Sequence, residues 1–237
     1  MHDHPDLAEL GARMTTEDAT AGRAAAATTR ADEGAVAIAD PAPLGLAAFA
    51  LTTFVLSLVN AKLIPAGTEP VVLGLALAYG GLAQLLAGMW EFAKGNTFGA
   101  TAFSSYGAFW ISFWYLQDHI LPGQVKEIKT PQNLYDILHG AGLYLLVWGI
   151  FTAYMTVAAS RVSGAVFVVF VLLTVTYLIL AIGFFAESGT EFEKNNNFFI
   201  NLGGWLGLLT ALAAWYASFA GVVAFTFKRA VLPTYPR

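Results

Sequence analysis

The chain has 237 residues, of which 57% are hydrophobic and only 12% are charged, with a net charge of −4. Soluble domains carry about 25% charged residues, so this composition is too apolar for a surface in water and favours a lipid bilayer. The acidic balance argues against a nucleic-acid partner. Because the chain has no cysteine, it can form no disulfide, thiolate metal site or thiol nucleophile.

The first 39 residues differ from the rest of the chain. They are rich in Ala and Thr and contain no apolar run. A signal peptide needs an apolar central region, which this segment lacks. We therefore expect residues 1–39 to form a disordered, soluble, cytoplasmic tail.

Six apolar stretches follow, and each is long enough to cross an apolar core of about 30 Å as a helix. They run from about 43 to 63, 70 to 92, 98 to 117, 138 to 159, 165 to 186 and 199 to 227. They predict a transmembrane domain over residues 40–230 and a short C-terminal tail over 231–237. The connections after the second and fourth stretches are short. Those after the third and fifth are longer and polar, and residues 133–139 could form a short interfacial helix.

The basic residues are distributed unevenly between the two sides of this arrangement. One side holds Arg13, Arg23, Arg30, Lys94, Arg161, Lys228, Arg229 and Arg237. The other side holds Lys62, Lys126, Lys129 and Lys194. By the positive-inside rule, both termini are cytoplasmic. The predicted fold is an all-α membrane protein with six transmembrane helices and an N-in, C-in topology.

Polar and aromatic residues recur at helical spacing in three of the predicted helices. These faces are Phe49, Thr53, Leu56 and Asn60 in the first helix, Gly80, Gln84, Gly88 and Glu91 in the second, and Asn201, Trp205 and Leu208 in the sixth. Polar side chains are costly inside a bilayer, so three such faces suggest an internal pathway. Simple helix packing uses the same spacing, and spacing alone leaves both interpretations open.

Glu91 lies near the predicted cytoplasmic end of the second helix, three residues before Lys94. A carboxylate there could bind a proton or act as an electrostatic gate. The alternative, which its position near the membrane surface favours, is a weak ion pair with Lys94.

The sequence lacks the motifs of several other functions. It has no Walker-type glycine loop, no GxSxG motif, no paired carboxylates within the predicted helices and no histidines at metal-ligand spacing. We therefore expect no ATP-driven transport, no enzymatic activity, no metal site and no cofactor. Two GxxxG patterns, Gly95–Gly99 and Gly203–Gly207, would permit close helix contacts.

Three groups of residues resemble one known family of membrane proteins. The first is the segment from Asp40 to Phe49, which matches Asn-Pro-Ala-Pro-Leu-Gly-Leu-x-small-Phe except at its first position. The second comprises Tyr79 to Gln84, Trp90-Glu91-Phe92 and Gly95 to Trp110. The third comprises Leu173-Thr174-Val175, Leu180 to Gly183, Gly204 to Gly207 and Leu232-Pro233. Together they resemble the acetate uptake transporter family, which includes bacterial succinate–acetate permeases, over about residues 40–233.

This resemblance implies six helices around a central pathway in each subunit, and a homohexamer in the cell membrane. It implies transport of small monocarboxylates, chiefly acetate and in some members succinate, as an anion channel or a proton-coupled carrier. By motif position it implies a hydrophobic constriction formed by Phe49, Tyr106 and Leu173. The implied substrate pathway consists of Thr52, Thr53, Asn60 and Gln84, to which the polar faces add Trp205.

Asp40 departs from the family pattern, which has Asn at this position. Both residues are good helix caps, and Pro41 suits the first helical position, so we expect the structural role to persist. An acidic residue at the cytoplasmic mouth, near Glu91, would repel anions and alter their binding.

A second hypothesis for the whole chain is a membrane-embedded sensor or scaffold that keeps the fold without transporting a solute.

Overall fold

The computed structural model describes residues 38–187 and 197–236. The predicted tail, apart from its last two residues, and most of the predicted loop from 187 to 197 lie outside this part of the chain. The elements below all belong to one compact unit that begins at Asp40. In the described ranges, helices are connected by short turns, and the only β-type pairing is an isolated bridge between Ser163 and Pro236.

The first helix, α1, covers Ala42–Asn60, and Pro41 occupies its N-cap position without a side-chain capping hydrogen bond. The Asp40 carboxylate accepts a hydrogen bond from the Ala42 backbone N–H at 3.1 Å, which satisfies a donor that has no partner within the helix. Asp40 therefore bonds to the first turn from the position before the N-cap, and the expectation that it is the N-cap, with Pro41 as the first helical residue, is wrong. The helix begins at Ala42, one residue before the predicted stretch.

The second long helical segment, or rod, changes from α-helical to π-helical geometry and back along its length. It consists of α2 (Pro70–Leu77), a π-helical segment (Ala78–Ala83) and α3 (Gln84–Lys94). A π segment widens the helix locally, and here it places Gly80 against α1. A Cβ atom on Gly80 would lie 2.6 Å from the Thr52 hydroxyl oxygen. The rod ends at Gly95, which adopts the left-handed conformation with φ of 78°.

The next rod is longer than the sequence suggests. Helix α4 (Thr97–Tyr115) starts at Asn96, whose side chain accepts a hydrogen bond from the Gly99 N–H at 3.2 Å. It continues through a π-helical segment (Leu116–Ile120) into α5 (Leu121–Lys126). Much of the predicted polar loop after the third stretch is therefore helical. Gly95 lies outside the helices, so the interpretation of Gly95–Gly99 as a helix-packing motif is wrong.

Helix α6 covers Pro131–Ala159 without interruption. Thr130 and Asn133 form a reciprocal capping box that starts the helix at Pro131. No helix-breaking residue separates residues 133–139 from the rest of the helix. The prediction of a separate interfacial helix there is therefore wrong.

The last two long helices are α7 (Gly164–Ala186) and α8 (Phe198–Phe227). The chain after α8 folds back over the start of α7. The Gly164 N–H donates to the Tyr235 carbonyl oxygen at 2.9 Å, and the Tyr216 hydroxyl donates to the Pro233 carbonyl oxygen at 2.8 Å. The segment predicted as a C-terminal tail is thus held against the helix ends.

Five helical spans among the described residues are long and apolar enough to cross a membrane. They are Ala42–Asn60, Ala66–Lys94, Pro131–Ala159, Gly164–Ala186 and Phe198–Phe227. Helix α4 is as long as α1, with 19 residues, but its sequence contains more Ser, Thr and Gly and is therefore less apolar. The structure thus accounts for five of the six predicted spans by length and composition.

The long helices form a closed ring. Helix α1 packs against α8, α8 against α7, and α7 against α6. On the other side, α1 packs against the rod formed by α2 and α3, which packs against α4, and α4 meets α6 to close the ring. Small residues bring these helices close together, as the Gly203–Gly207 pattern predicts. Gly203 lies against the Leu180 side chain and Gly207 against the Ser57 hydroxyl.

A Cβ atom placed on Gly204 would lie 2.6 Å from the Asn60 backbone carbon and 2.8 Å from the Ala61 Cα. Because backbone atoms cannot move aside easily, we expect Gly204→Ala to destabilise the protein by about 1–3 kcal/mol. The measurement is the thermal unfolding midpoint in detergent. Gly74→Ala is the matched control, since nothing lies within 4 Å of its new Cβ and helix propensity favours alanine. Equal unfolding midpoints for the two variants would contradict this packing.

Candidate functional site

The three predicted constriction residues lie at one level of the ring. Helices α1, α4 and α7 all begin at the end of the ring marked by Asp40. The first residues of these helices are Ala42, Thr97 and Gly164. Phe49, Tyr106 and Leu173 each lie about 10–14 Å further along their own helix axis. Their exposed fractions are only 4%, 3% and 4%. The structure therefore buries all three at a similar depth.

These three side chains belong to one hydrophobic cluster. The rings of Phe49 and Tyr106 pack with a centroid distance of 5.9 Å and an angle of 52° between their planes. Leu173, on α7, lies in the same cluster. Clusters of apolar side chains of this kind can hinder the passage of hydrated ions in membrane proteins.

The Tyr106 hydroxyl is bonded to α6. It lies 2.9 Å from the Thr152 hydroxyl oxygen, and the Thr152 hydroxyl donates to the Trp148 carbonyl oxygen at 2.7 Å. Because the Thr152 proton is already used, Tyr106 is the donor in the bond between the two hydroxyls. In this arrangement Tyr106 has no proton to offer a substrate, and it contributes an aromatic wall rather than a hydrogen-bond donor.

The sequence interpretation missed several aromatic residues around Tyr106. Its ring lies 5.5 Å from Phe151, 6.0 Å from Phe170 and 6.2 Å from Trp148, measured between centroids. Phe170 precedes Leu173 by three residues and therefore shares its helical face. The spacing of Tyr144, Trp148 and Phe151 at i, i+4 and i+7 was the available signal for α6.

A cavity of about 210 Å³ opens at the end of the ring where α1 and α7 begin. Its lining includes Asp40 and Pro43 at the start of α1, and Val166 on α7. Leu46, also in the lining, precedes Phe49 by three residues on the same helix. The end of α8 and the segment after it complete the lining. Leu46 therefore places part of the cavity wall about one helical turn from the buried level of Phe49.

The charges at this mouth neutralise each other. The Lys94 ammonium group donates to the Asp40 carboxylate at 2.7 Å, and both side chains are partly exposed. The alternative interpretation of Lys94 as the partner of Glu91 is therefore wrong. Lys94 reaches the start of α1 because α3 ends beside it, and this contact offsets the negative charge of Asp40.

Three of the predicted pathway residues are buried in the ring. Thr52 lies against Gly80, and its hydroxyl donates to the Ala48 carbonyl oxygen at 3.0 Å. Thr53 and Gln84 differ from it, since the Thr53 hydroxyl and the Gln84 carbonyl oxygen are buried without a hydrogen-bond partner. Buried polar atoms are normally paired, so these two are unusual among the described residues.

The other two predicted pathway residues are not brought to this level. Asn60 is the last residue of α1, at the opposite end of the helix from Asp40. Trp205 is 48% exposed and lies on the outer surface of the subunit. The buried face of α8 instead contains Gly203, Gly204 and Gly207, because these small residues allow α8 to contact α1 and α7.

Glu91 is fully buried, with an exposed fraction of 0%. One of its carboxyl oxygens accepts a hydrogen bond from the Asn96 side-chain amide at 2.8 Å. The other oxygen has no hydrogen-bond partner. The structure therefore places Glu91 inside the protein, between α3 and the start of α4, rather than at the exposed surface.

Residues 25–236 match the model of the GPR1/FUN34/yaaH family. The chain is 45% identical over 188 residues to acetate permease A of Emericella nidulans, an alignment that covers 78% of this chain and 61% of that protein. It is 36% identical over 200 residues to the succinate-acetate/proton symporter SatP of Escherichia coli strain K12, covering 84% of this chain and 97% of the symporter. The chain thus spans about three fifths of the length of the fungal relative and nearly all of the bacterial one.

The fold also matches a solved structure. The structure of the bacterial acetate channel SatP superposes with a TM-score of 0.70 and 35% sequence identity, covering 84% of this chain and 99% of that chain. The family match extends over most of the chain, and the ring of apolar helices is the architecture of a multi-pass membrane protein. The chain therefore belongs to the GPR1/FUN34/yaaH family.

Proposed function

We propose that this protein transports acetate and related small carboxylates across a membrane, along the axis of the helix ring. The observation that carries this proposal is the buried level of Phe49, Tyr106 and Leu173, which lies about one turn beyond a cavity open at the end of the ring. Relatives named as an acetate permease, a succinate-acetate/proton symporter and an acetate channel support the same substrate class.

The chemistry of the buried side chains suits a short carboxylate. Acetate has an apolar methyl group, which can pass between Phe49, Tyr106 and Leu173, and a carboxylate, which needs hydrogen-bond donors. The Thr53 hydroxyl is one turn beyond Phe49 on the same face and has a free proton to donate. Among the described helices, the only Lys or Arg residues are Lys94 at the end of α3 and Lys126 at the end of α5, and neither lies near the level of Phe49. Binding is therefore weak, which allows rapid release.

The arrangement in the membrane forms part of the proposal. We take α4 as the sixth span, because it lies between α3 and α6 and completes the ring. Both termini then lie on the cytoplasmic side of the cell membrane, with residues 1–39 as a cytoplasmic tail. Large apolar side chains on the outer surface, such as Trp205 and Phe219, suit contact with lipid or with the other subunits of a homohexamer.

The test of this function is uptake of labelled acetate into proteoliposomes that contain the purified protein. Uptake above the level of protein-free liposomes supports the proposal. Uptake equal to that level overturns it and favours the sensor or scaffold hypothesis.

Current recorded under imposed voltage and imposed proton gradients separates the two transport modes, an anion channel and a proton-coupled carrier. A channel passes current that follows the acetate gradient and voltage, whereas a carrier that moves one proton with each acetate is electrically silent.

Narrowing the constriction tests the residues assigned to it. We expect Leu173→Trp to reduce acetate flux by about tenfold or more, since a rise of 1.4 kcal/mol in the barrier is sufficient for that effect. Val175→Trp on the outer face of the same helix is the matched control and is expected to retain flux. The readout is labelled-acetate uptake per correctly folded protein. Wild-type flux in Leu173→Trp would contradict the position of the constriction.

Asp40 provides a test of electrostatics at the mouth. Asp40→Asn keeps an oxygen that can bond to the first turn of α1 but removes the negative charge and leaves Lys94 unneutralised. We expect faster acetate uptake at low ionic strength, by up to about tenfold through electrostatic steering. This gain should fade as salt approaches 1 M, where the screening length is about 3 Å. Lys94→Met is expected to slow uptake. Uptake by Asp40→Asn that is no faster than wild type at any salt concentration would rule out this role.

A further inference from the structure

Glu91 is a buried acid without a basic partner. It is fully enclosed, and the nearest basic side chain along its helix, Lys94, is bonded to Asp40 instead. Its only side-chain partner in the described structure is the neutral amide of Asn96. A carboxylate held in this way carries a buried charge without a salt bridge among the described residues, and binding a proton removes that charge.

Two further polar groups extend from Glu91 towards the interior of the ring. Gln84, Gly88 and Glu91 share one face of α3, and Ser104 of α4 packs directly on Gly88 between the other two. The Ser104 hydroxyl, the Gln84 carbonyl oxygen and one Glu91 oxygen are all buried without partners. Gln84 and Glu91 are about 10 Å apart along the axis of α3. Gln84 therefore lies at about the same depth in the ring as Phe49. Three unpartnered polar atoms in one helix interface are unusual in a folded protein.

The charged surroundings of this group are few. Lys94, on the same helix, attracts a negative charge on Glu91, and Asp40, from the segment before α1, repels it. These two groups form an ion pair with each other, so their effects on Glu91 oppose one another. The contacts that α4 and the α3–α4 turn make with Glu91 come from uncharged residues, Gly99 and Asn96. The protonation of Glu91 is therefore the main charge change available inside this interface.

We propose that Glu91 binds the proton that accompanies acetate, and that Ser104 and Gln84 connect this site to the level of the constriction. The proposal rests on the transport function proposed above. The step is a reversible acid–base equilibrium: one proton from water binds one Glu91 carboxylate oxygen and later leaves it, with no other bond made or broken. Neutral Glu91 removes a fixed negative charge from beside the pathway, and an acetate anion can then pass with less repulsion.

The principal test compares wild type with Glu91→Gln, which is uncharged at every pH and keeps a group that can bond to Asn96. The assay is exchange of labelled acetate at equal concentration and equal pH on both sides, between pH 6 and 8, with protein-free liposomes subtracted. We expect wild-type exchange to fall with rising pH, by up to about tenfold per unit once the site is mostly deprotonated, as for a single bound proton. Glu91→Gln is expected to stay near the wild-type rate at pH 6 throughout.

Two variants control this comparison. Glu127→Gln makes the same chemical change at an exposed loop position and is expected to keep the wild-type pH dependence. Glu91→Asp retains a titratable group and is expected to restore a pH dependence, shifted along the pH axis. A purely structural role for Glu91 predicts the opposite pattern, with the pH dependence of exchange unchanged in Glu91→Gln. That result would overturn the proposal.

A second measurement does not depend on transport. Infrared spectroscopy of the purified protein detects the carbonyl stretch of a protonated carboxyl group. We expect a pH-dependent band that disappears in Glu91→Gln and changes frequency in Glu91→Asp. Absence of such a band in wild type would overturn the assignment of the proton site. A protein that shows the band but no acetate exchange above protein-free liposomes would instead refute the proposed function and leave Glu91 as a proton site.

Discussion

The close approach of neighbouring helices is the constraint on which the rest of the structure depends. At many positions a Cβ atom would collide with the adjacent helix, among them Gly80 with Thr52, Gly88 with Ser104, Gly107 with Leu85, and Gly204 with Ala61. In lipid, such packing replaces the hydrophobic force that holds soluble helices together. The same contacts place Thr52, Gln84 and Ser104 inside the ring, and they leave the large side chains of α4 and α7 to meet at its axis.

The axis combines an apolar barrier with polar groups on its margins. Phe49, Tyr106 and Leu173 form a dry level, and the bond from Tyr106 to Thr152 holds the Tyr ring in place across the contact between α4 and α6. A barrier of this kind excludes hydrated ions, whereas free donors and acceptors beside it can receive a small carboxylate. Among the described residues no Lys or Arg lies beside this level, so the proposed transport function assigns selectivity to size and to the apolar methyl group.

The helices were predictable from the sequence because apolar length, capping residues and short polar turns are local signals. The burial of Phe49 and Thr53 was also predictable, since both lie on one face of α1. The outward position of Trp205 was not predictable, because residues that pack between helices and residues that line a pathway have the same spacing. The face of α8 that is buried is the one with Gly203, Gly204 and Gly207, and Trp205 lies outside it. The contact of Glu91 with Asn96 is local, across a left-handed turn. The pairing of Lys94 with Asp40 joins residues 54 positions apart, and no local pattern encodes it.

The absence of cysteine from the chain makes one measurement particularly direct. A single Leu46→Cys substitution places a thiol in the cavity wall, one turn from Phe49, in a protein with no other thiol. The matched control is Leu209→Cys on the exposed face of α8. If solute passes along the axis of each ring, a charged water-soluble thiol reagent modifies the first variant and abolishes its acetate flux, while the second keeps its flux after treatment. Full flux through a completely modified Leu46→Cys protein would contradict the account.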